Sequence, residues 1–141
     1  MFESLDYLYV PADDVDAEAR RFVDDLGAEL VWKIRGMDTV VACLRVSATG
    51  PAILLSGHLE SEAPILVYRV ADYAAAVERL RAAGLDVREI ELQSGPCAIF
   101  TTAAGRRLAV YQLVRPGVVE NFAGRIDEEG GATGAPPSPE G

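Results

Sequence analysis

The sequence is poor in the side chains from which most enzyme centres are built. It holds one histidine, His58, and two cysteines, Cys43 and Cys97, in 141 residues. Each cysteine stands alone in an apolar stretch, without the C-x-x-C spacing of a zinc or redox site, and buried thiols are ordinary core residues. There is no phosphate loop, no nucleophile–base pair and no pair of carboxylates at a catalytic spacing. A basic surplus is missing as well. Lys and Arg number 13 against 22 Asp and Glu, a formal net charge of −9. Four of the acids, Asp127, Glu128, Glu129 and Glu140, fall near the C-terminus, which leaves −5 on the rest. That acidity repels phosphate backbones and excludes a nucleic-acid partner; it is compatible with a cationic or neutral small ligand. No apolar run approaches the ~20 residues that span a bilayer, so no membrane partner is expected. The opening "MFESLDYLYV" lacks the basic-then-apolar pattern of a secretory signal. The expectation is a reduced, cytoplasmic protein.

What is present is a repeat. "LDYLYVPADD" alternates as a strand and runs into Asp14, a helix N-cap residue; Val15, Ala19, Phe22 and Leu26 then recur at helical spacing until Gly27. Strands follow at Glu29–Arg35, Thr39–Val46 and Pro51–Ser56. After "GHLESEA" the pattern restarts. "PILVYRVAD" reads as a strand, Asp72 as a second cap, and Tyr73, Val77 and Leu80 as a helix face that ends at Gly84. Strands at Asp86–Leu92, Pro96–Thr102 and Arg107–Val114 complete the second half. The fold class is therefore α+β: two tandem β-α-β-β-β modules, residues 1–58 and 63–115, in a domain spanning 1–115. Helices lie outside, and the opposite faces of a mixed sheet line a common cup. Residues 116–129 read as a short amphipathic helix carrying Val118, Val119, Phe122 and Ile126, and 130–141 as a disordered Gly/Pro-rich tail.

The segments "LDYLYVPADDVDAEARRFVDDLGAELV", "VYRVADYAAAVERLRAAGLDV" and "GPCAIFTTAAGRRLAVYQL" together resemble the vicinal oxygen chelate superfamily, which includes glyoxalase I, extradiol dioxygenases and bleomycin-resistance proteins. The resemblance covers residues 4–115. It implies a divalent ion held by inward-facing strand residues in the metal-dependent members. Followed into this sequence, those positions fall on Tyr7, Leu54, Ile65 and Ala109. A neutral phenol is a poor ligand and the other three cannot coordinate, so neither metal nor other cofactor is expected.

A cup without metal ligands is an apolar pocket with a few polar groups, the usual make-up of a small-molecule site. Alternation puts Tyr7 and Tyr9 on the cup side, with Leu8 and Val10 on the helix side, where Leu8 is expected to be core. It adds Arg69 beside Ile65 and Val67, and Tyr111 beside Ala109. Trp32 is a further candidate, although Leu30, Trp32 and Ile34 have equal claim to a place beneath the helix. Arg69 has two readings: a salt bridge to a nearby acid, or a bidentate grip on a ligand carboxylate or phosphate. His58, in the loop between the modules, is a candidate general base at the mouth of the cup. Three functions follow: a metal-free protein binding a small, aromatic or planar molecule; a metal-independent isomerase or lyase using His58 or a tyrosine; or a structural or regulatory dimer with a vestigial cup.

The resemblance implies a homodimer, with the Val118–Ile126 stretch as a clasp. Sedimentation at micromolar concentration is expected to report twice the chain mass of 15.1 kDa, unchanged on removal of residues 130–141. A monomer persisting at hundreds of micromolar would contradict this.

Overall fold

Two aspartates start the two helices by the same device. The computed structural model describes residues 1–36, 38–57, 63–117 and 124–127. Asp14 and Asp72 have extended backbones, and each accepts a hydrogen bond from the amide three residues on, Ala17 and Ala75, at 3.0 Å. Each thereby satisfies an amide that the helix itself leaves without a partner. Helix α1 (Val15–Leu26) stops at Gly27, which turns left-handed at φ 71°. Helix α2 (Tyr73–Ala82) is capped by Ala83, and Gly84 takes the left-handed turn one residue later at φ 82°.

Around these helices run β1 (Phe2–Pro11), β2 (Glu29–Gly36), β3 (Thr39–Arg45) and β4 (Ala52–Ser56), then β5 (Ile65–Val70), β6 (Val87–Glu91), β7 (Pro96–Thr101) and β8 (Arg107–Tyr111). They form one eight-stranded mixed sheet in the order β2-β3-β4-β1-β5-β8-β7-β6. Within each half the first and last strands pair in parallel, β1 with β4 and β5 with β8. The halves join through the antiparallel pair β1–β5. This is the α+β cup with outer helices that the repeat predicts.

Apolar alternation then sorts the core. Val15 and Ala19 of α1 pack on Ala42, Leu44 and Leu55, while Ala76, Val77 and Leu80 of α2 pack on Val70, Ala98, Phe100 and Val110. A third cluster, Ile65, Val67, Cys97, Ala109 and Tyr111, forms on the opposite face with Tyr7 and Tyr9 against it. Leu8 does face away from the cup, but it is only half-buried and lies outside the α1 cluster. It pairs with Leu66 and Ile53 near the middle of the sheet, between the strands that the two helices cover.

The expected C-terminal helix needs correcting at its end. Ile126 belongs to an extended piece that bridges Lys33 on the edge of β2. The amides of Gly124, Lys33 and Asp127 donate to the carbonyls of Val31, Arg125 and Lys33 at 2.8–2.9 Å. An edge strand has backbone groups to satisfy, and this segment satisfies them. Val118, Val119 and Phe122 lie outside the described residues, as do His58 and the tail.

Leu55 is fully buried beneath α1. Leu55→Ala is expected to cost ~2–5 kcal/mol in urea unfolding, as a core truncation. Leu54→Ala, half-buried on the cup face next door, should cost less; equal losses would contradict the assigned facing.

Candidate functional site in the cup

Three rows of side chains cross the cup face, and register fixes each. The first runs Trp32–Cys43–Leu54–Tyr9–Ile65 over five strands. The second runs Ala52–Tyr7–Val67–Ala109–Ile99–Arg88. The third runs Ser4–Arg69–Tyr111–Cys97–Ile90. The open question about Trp32 is answered by a register shift between Leu30 and Trp32. Leu30 packs with the α1 cluster, and one extra residue turns Trp32 to the cup side opposite Cys43. Trp32 nevertheless stands on the outer wing, three strands from β1. Tyr7, Tyr9 and Tyr111 meet at the centre, with the rings of Tyr7 and Tyr111 6.0 Å apart and tilted by 52°.

Arg69 makes the salt bridge that was one of its two readings. Its Nε donates to Asp6 Oδ2 at 2.8 Å. The hydroxyl of Tyr111 donates to the same oxygen, and Ser4 Oγ donates to Oδ1 at 2.6 Å. Burial alone would raise the Asp6 carboxyl, but Ser4, Tyr111 and Arg69 together hold it below the usual carboxylate value. Tyr111 is driven upward, first by burial and then by its bond to Asp6. Asp6 is the residue that sequence reasoning missed. Strict alternation places it with Leu8 on the helix side, but a register shift between Leu5 and Tyr7 lets its carboxylate reach the cup-facing Arg69 and Tyr111. Its one signal was an acid inside the otherwise apolar strand "LDYLYV".

The four positions that the resemblance reserves for metal ligands all stand on the cup face, in two adjacent rows. Tyr7 lies opposite Val67, which lies opposite Ala109; Leu54 lies opposite Tyr9, which lies opposite Ile65. The only donor in this set is the Tyr7 phenol, and burial raises both it and the neighbouring Tyr9, keeping them protonated at neutral pH. The nearby thiols are no better, since burial pushes Cys43 up to about 11 and Cys97 up to about 12. Among the described residues no three His, Cys, Asp or Glu side chains are grouped to hold an ion. These residues do not fit a divalent metal.

Solved structures share this architecture. A methylmalonyl-CoA epimerase from Mycobacterium tuberculosis superposes with a TM-score of 0.69 at 20% identity, covering 84% of this chain and 93% of its own. The chain has the vicinal oxygen chelate fold. A Streptomyces coelicolor methylmalonyl-CoA epimerase variant in complex with 2-nitronate-propionyl-CoA carries the same fold, with a TM-score of 0.67 at 13% identity over 82% of this chain and all of the other. So does a hypothetical protein from Bacillus halodurans, at 0.64 and 13% over 77% and 93%. No family model matches the sequence, and no curated protein does. At these identities the fold is shared, while the vicinal oxygen chelate site has to be judged on its own residues.

The depressed Asp6 carboxyl has a consequence for acid stability. A lowered folded value means that its contribution is complete above the unfolded value of about 4 and is lost as the pH falls through the folded one. Asp6→Ala is expected to cost about 1–2 kcal/mol at pH 7. That cost should shrink in urea unfolding at pH 3; an equal cost at both pH values would show that the carboxylate is not what matters.

Proposed function

We propose that the protein binds a small planar or aromatic molecule in its cup, without a metal ion. One observation carries this reading: the positions that would hold a metal are aromatic or aliphatic, and they share a face with three converging tyrosines. Such a face offers apolar area and stacking surfaces, with polar groups confined to the Asp6–Arg69–Tyr111 corner. The fold neighbours solved with CoA derivatives support small-molecule use of this architecture. In this reading Tyr7 and Tyr9 contact the ligand, the buried Tyr111 backs them and holds Asp6, Arg69 orients the ligand, and Trp32 closes the wing. Residues 1–115 are the glyoxalase/bleomycin-resistance-like domain. Two buried free thiols support a reducing, cytoplasmic setting, and the protein acts as a homodimer.

A second reading is a metal-independent isomerase or lyase that uses His58 or a tyrosine for proton transfer. The neighbours' name, epimerase, supports proton transfer on this fold but not its independence of metal. The tyrosines serve it poorly, since burial holds each of them protonated and none is poised as a base at neutral pH.

Planar aromatic compounds, screened with EDTA present, are expected to raise the melting temperature in a concentration-dependent way. Tyr7→Ala should weaken the best of them by the ~0.5–1.5 kcal/mol of one stacking contact while leaving the fold intact. Silence from a broad screen would overturn the proposal, as would a loss of binding on adding chelator. So would a Tyr7→Ala protein as unstable as Leu55→Ala.

A further inference from the structure

Among the described strand residues, few of the acids stand on the cup face. Strand parity and register place Arg45, Arg69, Arg88 and Arg107 on the cup face. Against them on that face stand Asp6, already engaged, and Glu29, opposite Arg45 at the exposed start of β2. Neither Arg88 nor Arg107 has an ion-pair partner among the described residues. Four of the 13 cationic side chains thus share the face where the ligand would lie, against two described acids, in a protein whose formal charge is −9.

Arg69 is the one of the four built into a network. Its pairing with Asp6 uses Nε, the Tyr111 hydroxyl is a second hydrogen-bond partner, and no second carboxylate among the described residues pairs with it. Asp6 is fixed in turn by Ser4 and by the buried Tyr111, so the guanidinium is held in orientation while its side chain remains 40% exposed. It stands at the end of a strand whose other cup-facing residues, Ile65 and Val67, are apolar. A guanidinium held through Nε keeps two parallel N–H groups for a planar oxyanion.

From this we infer that the ligand of the cup is an anion: a planar apolar body carrying a carboxylate or phosphate, which Arg69 grips through its Nη edge. The inference rests on the reading of the cup as a binding pocket and departs from the cationic or neutral ligand with which the overall acidity is compatible. Asp6 is then a positioning residue. It fixes the fork and touches no ligand.

Benzoate, benzamide and benzamidine have nearly the same shape and differ in charge, so they separate the two claims in the unmodified protein. Calorimetric or NMR titration is expected to rank benzoate first, benzamide about tenfold weaker or worse, and benzamidine last. Phenyl phosphate binding more tightly than benzoate would assign the anion as a phosphate, and the reverse order as a carboxylate. Arg69→Gln should bring benzoate down to the level of benzamide, while Arg69→Lys, which keeps the charge but loses the fork, should recover only part of the difference. Equal binding of the three compounds, or a preference for benzamidine, would overturn the inference and leave the cup as a pocket. No binding of any compound, together with a silent aromatic screen, would take the pocket with it.

Discussion

The structure depends on the antiparallel pairing of β1 with β5. Each module on its own is four strands with a helix over one face, α1 against β2, β3 and β4, and α2 against β6, β7 and β8. Neither has a second layer for its other face. Joining the first strands of the two modules puts both uncovered faces on one side, where side chains from both halves bury one another: Tyr7 and Tyr9 from β1, Ile65 and Val67 from β5, Tyr111 from β8. The same pairing assembles the polar corner, because Asp6 comes from one module and its partners Arg69 and Tyr111 from the other. Fold closure and site are therefore one event.

How much of this the sequence discloses follows from the range of each interaction. The caps at Asp14 and Asp72 and the glycine stops are local, read within four residues, and they stand as expected. Cup-facing Tyr7, Tyr9, Arg69 and Tyr111 follow from alternation, which needs only the strand itself. Asp6 and Trp32 were not legible in this way, because each follows a register shift, and one extra residue inverts the parity of everything beyond it. The partners of Asp6 are 63 and 105 residues away, a pairing that no periodicity encodes. Ile126 failed for a related reason. Apolar spacing pointed to a helix, but the free edge of β2 recruits that residue as an extended strand.

The two modules also show what duplication preserves and what it leaves free. Each helix is tied to its edge strand by a carboxylate holding two donors, but with the roles exchanged. In the first module Asp16, on the helix, accepts from Lys33 Nζ at 2.7 Å and Arg35 Nη2 at 2.8 Å, both on β2. In the second, Glu89 on β6 accepts from Tyr73 Oη at 2.8 Å and Arg81 Nη2 at 2.9 Å, both on the helix. The contact is kept and its polarity is reversed, as expected if geometry rather than chemistry is under constraint. Their strengths differ. The first clamp is 10–13% exposed and the second about half exposed, where a pair contributes little. The edges follow the same division: β2 is covered by residues 124–127, while β6 carries the charges Arg88, Glu89 and Glu91, which discourage pairing with another strand.

The arginines and the residues Tyr7, Leu54, Ile65 and Ala109 bear on the same electrostatic question. A divalent cation at the middle of the cup would have to share the face with Arg45, Arg69, Arg88 and Arg107, and acidic ligands would be needed to offset the repulsion. Ile65, Leu54 and Ala109 bring no such charge. The positive potential on this face then comes from guanidinium groups, of which Arg69 is held and partly neutralised by Asp6. A metal polarises a bound oxygen by direct coordination, whereas a guanidinium held by Asp6 acts through oriented, charge-assisted hydrogen bonds. An anion held in this way would be fixed by direction as well as by charge, and direction is what the pairing of Arg69 with Asp6 adds to a cationic side chain.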